Sequence, residues 1–210
     1  MDKRRMGQAA VAAAVVGAAA VAVVALQAGG GASAGAGRSA RVQLHDVNGA
    51  DVGTVYVIDR RDGAQVRVDL HLDPAAAATD TYHGFHVHAN DDPANGEGCI
   101  AGPAAAPTTW FTSVDGHWKT AGQSHSAHLG DLASVYVTSD GTAEAQFTTQ
   151  RFRAADLAGR AIVLHAGPDN FGNVPVGAAA SQYTANSADA TTATANTGNA
   201  GARIACGVVG

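Results

Sequence analysis

The sequence predicts an all-β domain, a sandwich or barrel built from eight short strands. Three observations predict it. Eight segments read apolar-polar with a period of two, tight-turn dipeptides separate several of them, and no long amphipathic helical pattern interrupts the series.

The first three strands lie over residues 42–44, 52–58 and 66–72, where Val, Ile and Leu alternate with polar residues. Asn48-Gly49 and Asp62-Gly63 turn the chain between them, because both dipeptides tolerate the positive φ of a two-residue hairpin. A fourth strand covers residues 82–89. Strands over 133–138 and 143–148 flank Asp140-Gly141, and two more lie over 161–165 and 203–208. The connections 90–131 and 166–202 are too long for hairpins, and long loops in a compact domain usually carry function.

Of 210 residues, 46% are hydrophobic, enough for a packed core. The formal charge of -5, with only 13 Lys and Arg, argues against nucleic acid as a partner, which needs clustered basic residues. Residues 1–40 read as an export signal or membrane anchor followed by a Gly/Ala/Ser linker, and 41–210 as the working domain. Lys3-Arg4-Arg5 precede an apolar run over 9–26, and Ala32-Ser33-Ala34 resembles a cleavage site. The run also reaches the lower limit for spanning a bilayer, so a cleaved signal and a retained anchor both remain open. Contact with a membrane is expected only through this segment. An exported chain with two cysteines, Cys99 and Cys206, favours one disulfide over two buried thiols.

The chemistry lies in the histidines. In a strand, His86 and His88 project from one face while Phe85 and Val87 point to the other. Two adjacent imidazoles suit copper or zinc, though two surface histidines would give the same spacing. His117, His125, His128 and Asp131 then fall together in the first long loop, a plausible tetrahedral set for Zn²⁺. His165 ends a strand at the mouth of the second long loop.

Four segments carry a resemblance: GFHVH (84–88), HLGDL (128–132), VLHAGPDN (163–170) and GNAGARIACGVVG (198–210). They are similar to the signature blocks of copper/zinc superoxide dismutases of the bacterial exported type. The resemblance implies an eight-stranded Greek-key barrel with two functional loops. It also implies superoxide dismutation, by alternating reduction and reoxidation of a histidine-bound copper. It assigns His86, His88, His117 and His165 to copper, and His117, His125, His128 and Asp131 to zinc. His117 then bridges both metals and, with Arg203, acts in catalysis. It further implies one copper and one zinc per chain, Asp169 as a carboxylate behind the ligands, a Cys99–Cys206 disulfide, secretion or a place in the cell envelope, and a possible homodimer.

Ser113-Val114-Asp115-Gly116-His117 resembles an S-A-G-G-H version of the bridging block, whereas aligning Ala101-Gly102-Pro103 with that block would put Ala104 at the bridge. The zinc loop is abbreviated, because His125 and His128 stand close in sequence. His83 resembles the family's structural histidine. His45 and His71 read as surface or packing residues, and Trp110, Phe111 and Trp118 as loop packing.

Overall fold

A computed structural model describes residues 38–172 and 188–210. The export segment expected over 1–40 therefore lies outside the described residues, apart from its last three positions. Among the described residues, no helix is long and apolar enough to cross a membrane.

Among the described residues, nine antiparallel strands form the fold: β1 (Ser39–Asp46), β2 (Asp51–Arg60), β3 (Gly63–His71), β4 (Thr81–His83), β5 (Phe85–His88), β6 (Val135–Val137), β7 (Thr142–Thr149), β8 (Ala161–His165) and β9 (Arg203–Val208). Strand β3 shows the logic most plainly. Ala64, Val66, Val68 and Leu70 are buried, and the residues between them face outward. Fully burying each Val or Leu contributes about 1.5–3 kcal/mol, which ties the strand to one register.

Seven strands make one sheet in the order β5-β8-β9-β1-β2-β3-β7, and β4 pairs with β6. The two sheets close on each other through the chain. β4 runs into β5 through Gly84, and β6 turns into β7 with Thr138 N–H donating to Thr142 C=O at 2.9 Å. The pairings β3–β7, β5–β8 and β9–β1 join strands distant in sequence, as in a Greek-key barrel. Leu44, Val55, Val68, Phe85, Val135 and Leu164 belong to the central core.

Three details differ from the sequence reading. The expected fourth strand is two, because its first part pairs with β6 and its second with β8. Strand β1 starts at Ser39, inside the expected linker. The second long connection contains a helix, α1 (Ala188–Thr197). Its ADATTATANT sequence sets four Ala among weaker helix formers (Thr, Asp, Asn) and has no apolar stripe of helical period, so periodicity could not reveal it.

Candidate metal centre

Strand β5 carries the first two histidines. All four of its residues are buried. Phe85 and Val87 enter the core, so His86 and His88 share the opposite face, which the long loops cover. The first loop lies directly on this strand: Val87 donates to Gly130 C=O at 2.8 Å, and Trp118 N–H to Val87 C=O at 2.9 Å. Only glycine permits this approach, since a Cβ at residue 130 would stand 2.1 Å from the Val87 oxygen. The contact brings Asp131 beside His86 and His117 beside His88.

His86, His88, His117 and His165, all buried, each offer a ring nitrogen within 4.8 Å of the others. Their hydrogen bonds identify those nitrogens. His88 Nδ1–H donates to Asp115 C=O at 2.8 Å, and His165 Nδ1–H to Gly201 C=O at 3.1 Å, leaving both Nε2 lone pairs inward. His86 uses Nε2 on Asp169 at 2.8 Å, and His117 uses Nδ1 on Asp131 at 2.8 Å. Their remaining nitrogens, His86 Nδ1 and His117 Nε2, are buried without a partner. Burial lowers the pKa of all four rings, that of His117 to about 3, so the nitrogens present lone pairs at neutral pH. Four bare imidazole nitrogens facing one point fit copper.

The second cluster shares His117. Its Nδ1, with those of His125 and His128, lies 2.8, 3.1 and 3.2 Å from the same oxygen, Asp131 Oδ1. Three imidazoles and one carboxylate match a closed zinc site. His86, His117, His125 and Asp131 each offer an atom within 4.8 Å of the others, a group that does not include His128. Burial opposes a charge on His125, but Asp131 and Asp169 outweigh it and raise its pKa to about 9. The same contacts hold both carboxyls well below the usual range against their burial.

Asp169 links the clusters. Its Oδ2 accepts from His86 Nε2 and from His125 Nε2, both at 2.8 Å. Gly198 leaves room for it, as a Cβ there would stand 1.8 Å from Asp169 Oδ1. Helix α1 supports the same corner by accepting His125 N–H at Ala195 C=O.

Arg203 donates to the carbonyls of Phe111 and Asp115, each at 2.5 Å, so Asp115 C=O serves both Arg203 and His88. Cys99 and Cys206 form a disulfide, which pins the first loop to β9 near this arginine. His83 is buried outside the clusters and bonds the carbonyls of His165 and Ala78. His45 pairs with Asp51 on the surface, and His71 is exposed. Trp118 packs on the core beside Phe152, while Trp110 and buried Phe111 pack in the loop cluster.

Sequence reasoning missed Arg151. Its guanidinium donates to the carbonyls of Ser126, His128 and Asp131 at 2.7–2.9 Å, clamping the short loop between the expected zinc ligands. An arginine after a strand carries no motif that would reveal this.

Residues 52–209 match the family model described as copper/zinc superoxide dismutase (SODC). The chain belongs to the copper/zinc superoxide dismutase family. A superoxide dismutase [Cu-Zn] of Mycobacterium tuberculosis is 39% identical over 137 residues, covering 63% of this chain and 54% of that protein. The chain thus spans about half the length of that relative. One from Mycolicibacterium paratuberculosis is 32% identical over 188 residues, covering 85% of this chain and 77% of its own. The Cu/Zn superoxide dismutase of Brucella abortus shares the fold, with a TM-score of 0.58 at 24% identity over 82% of this chain and all of that one.

Proposed function

We propose that this member of the copper/zinc superoxide dismutase family converts two superoxide ions and two protons into dioxygen and hydrogen peroxide. The observation that carries the reading is the pair of clusters sharing His117, one of four bare imidazole nitrogens and one centred on Asp131 Oδ1. His86, His88, His117 and His165 would hold copper; His117, His125, His128 and Asp131 would hold zinc.

Bound copper supplies the one-electron acceptor and donor for two superoxide ions in turn, while zinc, without redox chemistry, supplies a fixed charge. The chain's own residues do the rest. His117 presents Nδ1 to one cluster and Nε2 to the other, so its Nε2 is placed to take up a proton and give it to the reduced substrate. Two carbonyls aim the Arg203 guanidinium, which holds the anion. Asp169 holds the Nε2 atoms of His86 and His125, which leaves their Nδ1 atoms free to serve as the ligands that would hold the metals.

The Cys99–Cys206 disulfide supports work in an oxidising compartment, in line with an export segment over 1–40 and a domain over 41–210. Activity is tested by superoxide consumption of the purified chain before and after loading with copper and zinc. Consumption that appears with copper supports the reading, and an inactive loaded chain contradicts it.

A further inference from the structure

Asp115 holds an unusual backbone conformation. Its φ of 64° and ψ of -161° lie in a region that favours glycine. Its side chain explains how an aspartate stays there. Oδ2 accepts from the N–H groups of Asp91 and Asp92 at 2.8 and 2.9 Å, and Oδ1 accepts from Asn95 Nδ2 at 2.7 Å. The same residue's carbonyl receives Arg203 and His88. One amino acid thus fixes the arginine through its carbonyl, while loop donors hold its carboxylate outside ion-pair distance of the guanidinium.

That charge has little competition. The other carbonyl holding Arg203, from Phe111, is neutral, and no ion pair among the described residues involves Arg203. Burial brings the Arg203 pKa down to about 10, and Asp115 is the acid that opposes this. Asp115 also lines a cleft of about 610 Å³ reaching His117, whose walls carry Asp91, Asp92 and Lys119.

We propose that Asp115 is a specificity-determining residue: it positions Arg203 through its carbonyl, and its carboxylate weakens the pull of that arginine on anions. The inference rests on the dismutase reading, in which Arg203 holds superoxide. Replacing the carboxylate by a neutral group should tighten anion binding, by an amount that shrinks as salt screens the charge.

The test uses azide as the anionic probe, titrated into the copper- and zinc-loaded chain and followed by its charge-transfer absorption on copper. Asp115→Asn keeps much of the hydrogen bonding without the charge. Asp115→Gly suits the backbone conformation and guards against misfolding of the first variant. Both should lower the azide Kd, by roughly 3- to 10-fold at low ionic strength, the size expected for one partly solvated charge. The gain should fade at high salt, which a purely structural role would not produce. Arg203→Gln should weaken azide binding in the same assay. If Arg203→Gln weakens binding while Asp115→Asn and Asp115→Gly leave the Kd unchanged or higher, the role of Asp115 is overturned. If Arg203→Gln has no effect, the reading of Arg203 falls, and with it the inference.

Discussion

The Nε2 atoms of His88 and His165 lie 3.3 Å apart in the interior, each ring having committed its Nδ1 to a backbone carbonyl. Burial, reinforced by neighbouring rings and Arg203, keeps both pKa values well below 6.5, so neither ring supplies a proton to the gap at neutral pH. Two facing lone pairs are a costly arrangement that a cation relieves. Replacing His165 with Ala should therefore weaken copper binding by more than the roughly 10- to 100-fold typical when a residue behind a ligand is lost. Competition with a copper chelator measures this, and an unchanged affinity contradicts the placement.

Asp169→Asn tests the link between the clusters. The carboxylate accepts from both His86 and His125, whereas an amide offers one acceptor oxygen and one donor group. Zinc affinity should fall by about 10- to 100-fold, with a smaller fall for copper. Zinc retained as tightly as in the wild type would mean that Asp169 does not orient His125.

The metal-free chain should be acid-labile. His86, His88, His117, His128 and His165 have pKa values lowered from 6.5, so below that pH the unfolded chain takes up protons that the folded chain refuses. Stability from these rings is present above 6.5 and lost as the pH falls toward about 3. His125 acts oppositely: raised to about 9, its contribution is present below 6.5 and lost as the pH rises through about 9. Five rings oppose one. The Tm of metal-free protein should drop between about pH 7 and about pH 4.5. A flat Tm across that range would contradict the buried, neutral histidines.

The family resemblance was legible because metal ligands come in short blocks with fixed strand spacing, so His86 and His88 could be placed on one face from alternation alone. The eight segments with a period-two signal overlap all nine strands of the described residues, one of them spanning both β4 and β5. What sequence could not show was how residues far apart meet. Gly130 and Gly198 matter through a carbonyl and a carboxylate that approach from other segments. Arg151 acts through three carbonyls 20 to 25 positions away, and helix α1 lacks an apolar stripe. The distance between His125 and His128 in sequence marked a shortened loop, yet both Nδ1 atoms reach Asp131.

The disulfide offers a separate check on stability. Cys99 and Cys206 are 107 positions apart, so in the chain-entropy account their bond constrains the unfolded chain by about 4–5 kcal/mol. Cys206→Ser should lower metal-free stability by a few kcal/mol on that scale and loosen the loop around Arg203. Denaturant unfolding of the two proteins measures it, and equal midpoints would contradict a structural role for the bond.

The central claim is that His117 belongs to both metal clusters and carries a proton between substrate and site. Metal content and superoxide consumption, measured side by side on wild type and His117→Ala, test it most directly. The account predicts close to one copper and one zinc per wild-type chain, and a variant that loses activity and binds zinc less tightly. Full activity in His117→Ala would contradict it.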